Sequence, residues 1–393
     1  MISKKKIVND PIHGFIDIPD GLVYSLLEHP WMQRLRNIKQ LGLSYLVYPG
    51  ACHSRLGHAL GAMHLMKEAI MSLRSKKHEI THEEMEAALC AILLHDIGHG
   101  PFSHTLEYTI VEKVHHEQLS LLFMKQLNVL LGGRLDMAIA IFEGNYKKKF
   151  LHQLVSGQLD VDRLDYLLRD SFFSGVAEGM IGVERIIKML DVVNDELVVE
   201  AKGIYSIEKF LISRRMMYWQ VYLHKTVISA DRLLLEILSR ARTLVRAGHA
   251  LFASPAFTYF LKESPTLHHF ESDEALQLFA LLDDSDIDCA IKVWTQHDDK
   301  ILAAYSKMLI QRRLPKIEIR DVPFEKEEKP DTRYIIWDGA ISNKGYESGA
   351  EKIKIYAHGG DIRDIYEVSD MLGTQAFSSE TIKYYQCKII NNI

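Results

Sequence analysis

The chain has 393 residues, an apolar fraction of 47% and a formal charge of −5 at pH 7, which allows a large core and suggests one large domain with a smaller companion. The mild acidity argues against a dedicated nucleic-acid binder. No run approaches the ~20 apolar residues of a membrane span, and the basic N-terminus lacks the apolar stretch of a signal peptide.

In chain order, "KKKIVND", a Pro-Ile-His-Gly turn and "FIDIP" predict a hairpin over residues 1–19. From residue 20 to 315 the helical period dominates. "LVYSLLEHPWMQRLRNIKQL" is helical with a break at Pro30, and further helices are expected over 57–75, 82–97, 116–131, 134–142, 160–170, 206–246, 271–282 and 286–311. The segment 206–246 reads as two helices or one kinked helix. "DELVVEAKGIYSI" reads as a small hairpin with Gly203 at its turn. After Pro315 the texture changes to short β-like runs, "KIEIRDV", "RYIIWDG", "KIKIYAHGG" and "YYQCKII", so residues 316–393 are expected to form a small α/β lobe. The four cysteines, Cys52, Cys90, Cys289 and Cys387, form no CxxC pair. They suit a reducing compartment, and a soluble cytoplasmic protein is the expectation.

One stretch departs from ordinary core chemistry. In "AILLHDIGHGPFSH", residues 91–104, an aliphatic helix ends in a vicinal His95-Asp96 pair, with His99 and His104 close behind. Buried histidine and aspartate are unfavourable unless paired or metal-bound. Any one of the nineteen histidines is most simply a structural residue; the vicinal pair is what singles out this stretch. Two further ligands must then come from elsewhere. His58 opens an apolar helix in "SRLGHALGAMHL", and Asp162 or Asp165 lies in the leucine-rich "GQLDVDRLDYLLRD". Two imidazoles and two carboxylates suit one divalent transition metal, Mn, Fe, Zn, Co or Ni, with positions open for water or substrate.

The pattern His58, His95-Asp96 and Asp162 resembles the HD-domain phosphohydrolases. "NDPIHG", "QRLRNIKQLG", "YPGACHSRLGHALG", "LLHDIGHGPFSH", "HHEQ" and "DVDRLDYLLRD" narrow the resemblance to the deoxynucleoside triphosphate triphosphohydrolases, including bacterial enzymes and the HD domain of the human SAM-and-HD-domain dNTPase. It covers residues 4 to about 315. It implies a mainly α HD-domain helical fold with a small α/β C-terminal lobe, and the ligand set His58, His95, Asp96 and Asp162. His99, His104 and His116 take catalytic positions by the same resemblance. Glu107, at i+3 from His104, is placed to orient its imidazole, and Glu117 stands beside His116. A histidine near neutral pKa can protonate a leaving oxygen or activate water.

Arg55, Arg163, Arg214 and Lys225 match the family's phosphate-binding positions, although the family has lysine where Arg163 stands. Arginine forks suit phosphate oxygens. Tyr166, Asp170 and Tyr222 match sugar-holding residues, bordered by Gln40 and Leu41. The human enzyme's glutamate before the first ligand is Gly57 here, and Leu223 replaces its glutamine, which bears on base preference. Lys6, Ile7, Asn9, Glu28, Gln33 and Arg36 match residues that bind a regulatory guanine nucleotide at a subunit interface. The resemblance thus implies a metal-dependent dNTP triphosphohydrolase, with Mg²⁺ as a second ion on the phosphates. It also implies a homo-oligomer, dimer or tetramer. The alternatives are another HD phosphohydrolase, acting on a nucleoside monophosphate, a cyclic nucleotide or an alarmone, and a non-catalytic nucleotide-sensing scaffold.

Overall fold

The computed structural model describes residues 6–106, 111, 114–263, 265–271, 273–325, 334–343, 346, 352–357, 359–372 and 380–390. The chain opens with the hairpin β1 (Lys6–Asp10) and β2 (Gly14–Ile18), paired antiparallel from Lys6↔Ile18 to Asp10↔Gly14. Alternation sorts its faces. Ile16 and Ile18 are buried, whereas Ile7 and Phe15 face outward. The expected break at Pro30 separates α1 (Leu22–Leu27) from α2 (Pro30–Gln33).

Two helices form the centre. α3 (Arg55–Ser75) is capped by the Ser54 hydroxyl and buries thirteen of its 21 residues, so it runs through the core rather than along its surface. α4 (His82–Leu94) begins with a capping box, Thr81 with Glu84, and buries every residue from Ala87 to Leu94. It stops at Leu94, not at residue 97. His95 is its C-cap, and the chain then turns. Arg34 holds that turn from below, donating to the Ile97 carbonyl (2.7 Å) and the Leu282 carbonyl (3.0 Å). Burial lowers its pKa to about 10, and the rings of Phe123 and Phe279 flank the guanidinium at 5.9 and 5.3 Å.

Around this centre lie α5 (His116–Leu130), α6 (Asp136–Phe142), α7 (Lys149–Val155), α8 (Val161–Ser174) and α9 (Val183–Met189). α7 and α9 are short, seven residues each, and gave no periodic signal in the sequence. The hairpin expected next is present but displaced. β3 (Leu190–Val193) and β4 (Glu196–Glu200) turn through Asn194 and Asp195, at φ 53° and 64°, while Gly203 sits in the 3-10 turn that follows. Asn and Asp tolerate the left-handed region, which is why this pair supplies the turn.

The segment 206–246 is two helices, α10 (Ile204–Met217) and α11 (Lys225–Arg246), joined by a π-helical turn over Tyr218–Tyr222 and capped anew by the His224 imidazole. α12 (Pro255–Lys262), α13 (Asp273–Phe279), α14 (Asp284–Trp294) and α15 (Lys300–Ile310) complete the helical body. The single helix expected over 286–311 is divided because Asp299 caps a new start, accepting from Leu302 N at 2.8 Å.

The C-terminal strands build two sheets. β5 (Lys316–Arg320), β9 (Thr381–Ile390) and β6 (Tyr334–Asn343) form one, in the order β5-β9-β6. β7 (Lys354–Tyr356) and β8 (Ile362–Asp364) instead extend the β3–β4 hairpin into a four-stranded sheet, with β7 parallel to β4. A four-residue helix, α16 (Ile365–Val368), follows β8. Among the described residues no helix is long and apolar enough to cross a membrane.

Because the candidate ligands His95 and Asp96 lie at the far end of α4 from its capping box, Thr81→Ala should lower stability by about 1 kcal/mol without disturbing them. Urea denaturation should register that loss, while the metal content of the purified protein stays at the wild-type level.

Candidate metal centre and active site

Three helices bring the candidate ligands together: His58 from the first turn of α3, His95 and Asp96 from the end of α4, and Asp162 from the first turn of α8. His58 Nε2 lies 2.9 Å from Asp162 Oδ1, and His95 Nε2 lies 3.5 Å from the same oxygen. Asp96 stands 3.3 Å from His95 Nε2 and 3.8 Å from His58 Nε2. Donors adjacent about an ion with bonds of about 2.1 Å sit about 3 Å apart, so this spacing fits one divalent metal.

The second observation is polar satisfaction. Among the described residues, His58 Nε2 and His95 Nε2 are both buried without a hydrogen-bond partner, which is costly unless something else binds them. Their other ring nitrogens are fixed from behind. His58 Nδ1 donates to Asp165 Oδ2 (2.8 Å) and His95 Nδ1 donates to the Ile92 carbonyl (2.6 Å). Both imidazoles therefore turn an Nε2 lone pair to the centre, the tautomer a metal needs. Burial opposes a charge on His58, but contacts to Asp162 and Asp165 outweigh it and raise its pKa to about 10. The same histidines, against burial, hold the Asp162 carboxyl well below its ordinary range. The cluster favours a positive charge at this point, and a divalent cation supplies one.

Asp165 is not a candidate ligand here. Its two oxygens accept from His13 Nε2 (2.7 Å), His58 Nδ1 (2.8 Å) and both arms of Arg169 (2.8 and 2.9 Å). Arg169 in turn donates to Asp10 (2.8 Å), whose other oxygen accepts from the Ile12 and His13 amides. The turn of the N-terminal hairpin thus packs against the back of a metal-facing histidine. His13, Asp10 and Arg169 were not among the residues singled out from the sequence, although "NDPIHG" contains two of them.

Asp96 also faces a second cluster. His99 Nδ1 lies 3.3 Å from Asp96 Oδ1, and the His99 and His116 rings stack at 3.8 Å. Asp96, His99 and His116 form a second group able to hold a metal ion. Burial, the Arg55 guanidinium and His116 together pull the His99 pKa well below its ordinary value, so its imidazole stays neutral. Glu117 is exposed on the first turn of α5. Backbone Ser103–Thr105 forms a 3-10 turn. The His104 side chain and Glu107 lie outside the described residues.

Four of the expected substrate residues share the helix that carries Asp162 or pack against it. Asp162, Arg163, Tyr166 and Asp170 succeed one another along α8. Arg163 is tied to Asp160 (3.2 Å), and Arg214 lies over the Tyr218 ring at 5.6 Å. Burial and the Tyr218 phenol raise the Tyr166 pKa, against the charges of Arg163 and Arg214, which places all four side chains in one neighbourhood. Tyr166 and Tyr222 meet edge to face at 6.2 Å. Asp170 accepts from Tyr222 OH (2.8 Å) on one oxygen and is bonded to His53 Nε2 (2.8 Å) on the other. Gln40 Oε1 is buried without a partner, Leu41 is half-buried, and Lys225 is exposed at the start of α11. Arg55 is buried and bonds Ser103 Oγ (2.7 Å) and Asp96, so in this structure it braces the centre.

At the expected regulatory positions, Lys6 is bonded to Glu28 and lies over the Tyr24 ring at 4.6 Å. Gln33 accepts from Arg36 at 2.6 Å. Ile7 and Asn9 share the outward face of the hairpin.

His58, His95 and Asp162 form one group able to hold a metal ion, with Asp96 shared toward the second group; such a site is that of a hydrolase of the HD type, and the chain belongs to the HD-domain phosphohydrolase family. The model of the HD domain matches residues 55–170, and that of the HD associated region matches 181–247. A crystal structure of a phosphohydrolase from Bacteroides thetaiotaomicron superposes with a TM-score of 0.94 at 48% identity, covering 98% of this chain and 100% of that one. The uncharacterized protein YwfO of Bacillus subtilis is 35% identical over 321 residues, 80% of this chain and 72% of YwfO. The human deoxynucleoside triphosphate triphosphohydrolase SAMHD1 is 30% identical over 284 residues, 61% of this chain but 45% of the human protein.

If Asp96 completes the set, Asp96→Ala should abolish tight metal binding and leave the helical content intact. Elemental analysis of the purified variant beside wild type decides it, and full occupancy in the variant would remove Asp96 from the ligands.

Proposed function

We propose that the protein hydrolyses deoxynucleoside triphosphates to deoxynucleoside and triphosphate. The observation that carries this reading is the order of groups along α8 and the helices facing it. The candidate ligand Asp162 comes first, then the cations Arg163 and Arg214, then Tyr166, Tyr222 and Asp170. A metal end, a cationic middle and an aromatic end with a carboxylate match the phosphates and sugar of one nucleotide. His58, His95, Asp96 and Asp162 would hold a divalent metal, which when bound supplies a polarising charge and an activated water.

Water attacks the α-phosphorus, the bond to the sugar 5′-oxygen breaks, and that oxygen takes a proton. His104 is the leading general acid, oriented by Glu107. Neutral His99 and stacked His116 move protons beside Asp96. Arg163, Arg214 and Lys225 bind the phosphates, and their number favours a triphosphate over the monophosphate or cyclic substrates of other HD phosphohydrolases. The fit of the donor atoms to a metal argues against a scaffold that only senses nucleotides. Tyr166 and Tyr222 hold the sugar, with Asp170 beside the 3′-hydroxyl.

Chromatography of each dNTP incubated with Mn²⁺ or Mg²⁺ should reveal triphosphate as product. His104→Ala should reduce turnover by roughly 10²–10⁴-fold, the range for losing a general acid, yet keep its metal. Activity within a few-fold of wild type would transfer the role to His99 or His116.

The same reading extends to a homo-oligomer that binds a guanine nucleotide near Lys6, Glu28 and Arg36. Its support is the open end of the hairpin, where the Lys6–Glu28 pair joins a cation on β1 to a carboxylate at the C-terminus of α1 able to accept the N1 and N2 hydrogens of guanine. A ligand shared between subunits stabilises the assembly by mass action. Sedimentation of wild type should shift to larger species with dGTP or GTP, and Arg36→Ala should lose the shift. Identical profiles throughout, with no effect of dGTP on the rate for another dNTP, would exclude the site.

A further inference from the structure

The loop that follows the His-Asp pair is held in an unfavourable backbone conformation. Phe102 and Ser103 are consecutive non-glycine residues in the left-handed region, at φ 54° and 53°. Such residues persist only where their surroundings over-determine them. The Phe102 side chain is fixed in the core, at 1% exposure.

The main restraint comes from Asp284, nearly two hundred residues away and outside both matched family regions. Its Oδ1 accepts from the Phe102 amide at 2.8 Å. Its Oδ2 accepts from the Lys39 amide (3.0 Å) and from Lys39 Nζ (3.2 Å). The Lys39 carbonyl then accepts from Ser103 Oγ (2.8 Å), and Ser103 Oγ accepts from Arg55 Nε (2.7 Å). Arg55 Nη1 donates to Asp96 Oδ2. Hydrogen bonds therefore run unbroken from Asp284 to the candidate ligand Asp96. On the far side of the turn, Thr105 Oγ1 donates to Asp231 (2.9 Å).

Asp284 is not needed for its own helix. The cap of α14 is Asp283, which accepts from Ser285 N at 2.8 Å and shares a capping box with Asp286. The Asp284 side chain is instead 3% exposed and turned to the loop. Burying a carboxylate this way is unfavourable without full compensation, and the two backbone amides and one ammonium that supply it belong to Phe102 and Lys39.

We propose that Asp284 is a positioning residue for catalysis. With Lys39 it locks the Phe102–Ser103 turn, and through Ser103 it sets the Arg55 guanidinium on Asp96. It touches neither substrate nor metal.

Hydrogen–deuterium exchange of the peptide 97–106, in the full-length metal-loaded protein, tests the lock directly. Asp284→Ala should exchange at least tenfold faster there than wild type. Asp284→Asn keeps an oxygen for the Phe102 amide but sets an NH2 against the Lys39 amide and ammonium, so it should restore protection in part. Steady-state kinetics should follow, with kcat at least tenfold lower in Asp284→Ala and KM changed less than threefold. Asp283→Ala, which loses the helix cap and a bond from Asn37 Nδ2 (3.0 Å) but none to Phe102 or Lys39, should lower Tm but leave both loop exchange and kcat at wild-type values. The proposal is overturned if Asp284→Ala exchanges like wild type, if Asp284→Asn is as unprotected as alanine, or if Asp283→Ala reduces kcat as much. The kinetic arm rests on the triphosphohydrolase reading. Should wild type hydrolyse no dNTP, that reading falls and the exchange arm alone decides the lock.

Discussion

Asp165 carries its charge at zero solvent exposure, and the architecture of the site follows from how that charge is compensated. An uncompensated carboxylate in such a place would cost several kcal/mol. Arg169 binds it with two parallel arms, and His13 and His58 complete its acceptor positions. These bonds, against burial, hold its carboxyl well below the ordinary range. An ionised Asp165 keeps the proton on His58 Nδ1, and so leaves His58 Nε2 as a lone pair directed at the metal position. One buried anion therefore fixes a helix pairing, a histidine tautomer and the docking of the N-terminal hairpin.

The close approach of α3 and α8 makes this possible. A Cβ on Gly61 would lie 1.9 Å from Asp165 Oδ1 and 2.3 Å from Arg169 Nη2. The absent side chain is the space that the salt bridge fills. Gly98 works similarly beyond α4, where a Cβ would meet the His116 carbonyl at 2.2 Å and Ser120 N at 2.3 Å. There the Gly98 amide donates to Ser120 Oγ (2.9 Å), which itself donates to the His95 carbonyl (2.6 Å). The turn carrying His95, Asp96 and His99 is thus pinned to α5 on one side and to Arg34 on the other. Rigid support of this kind is what a metal site needs to hold its donors within a few tenths of an ångström.

The hairpin "NDPIHG" illustrates two uses of one motif. The family resemblance implied a regulatory contact with a neighbouring subunit at this segment. The structure accounts for half of it within the chain, because Asp10 and His13 face Arg169 and Asp165. The outward residues Ile7, Asn9 and Phe15 have no such internal explanation. The alternation of a strand separates these two sets, so a single ribbon can brace the metal centre on one face and remain available on the other.

Much of this was legible in the chain itself. The vicinal His95-Asp96 pair ending an aliphatic run, His58 at a helix start and the aspartate-rich "DVDRLDYLLRD" announced a metal site, because such groups are not tolerated in a core without a partner. Long periodic helices such as α3, α4 and α11 were visible for the same reason that they are buried. The short helices α7 and α9 were not, although α6 and α13, of the same length, were. Nor was the turn at Asn194-Asp195, where glycine drew attention to the wrong place. The choice between Asp162 and Asp165 shows the limit most clearly. Three residues apart, they lie about 60° from one another on a helix, so spacing places both toward the same neighbour. Only the crossing of α3 at Gly61 separates them. It seals Asp165 against Arg169 and leaves Asp162, with its side chain 29% exposed, facing the two open imidazole nitrogens.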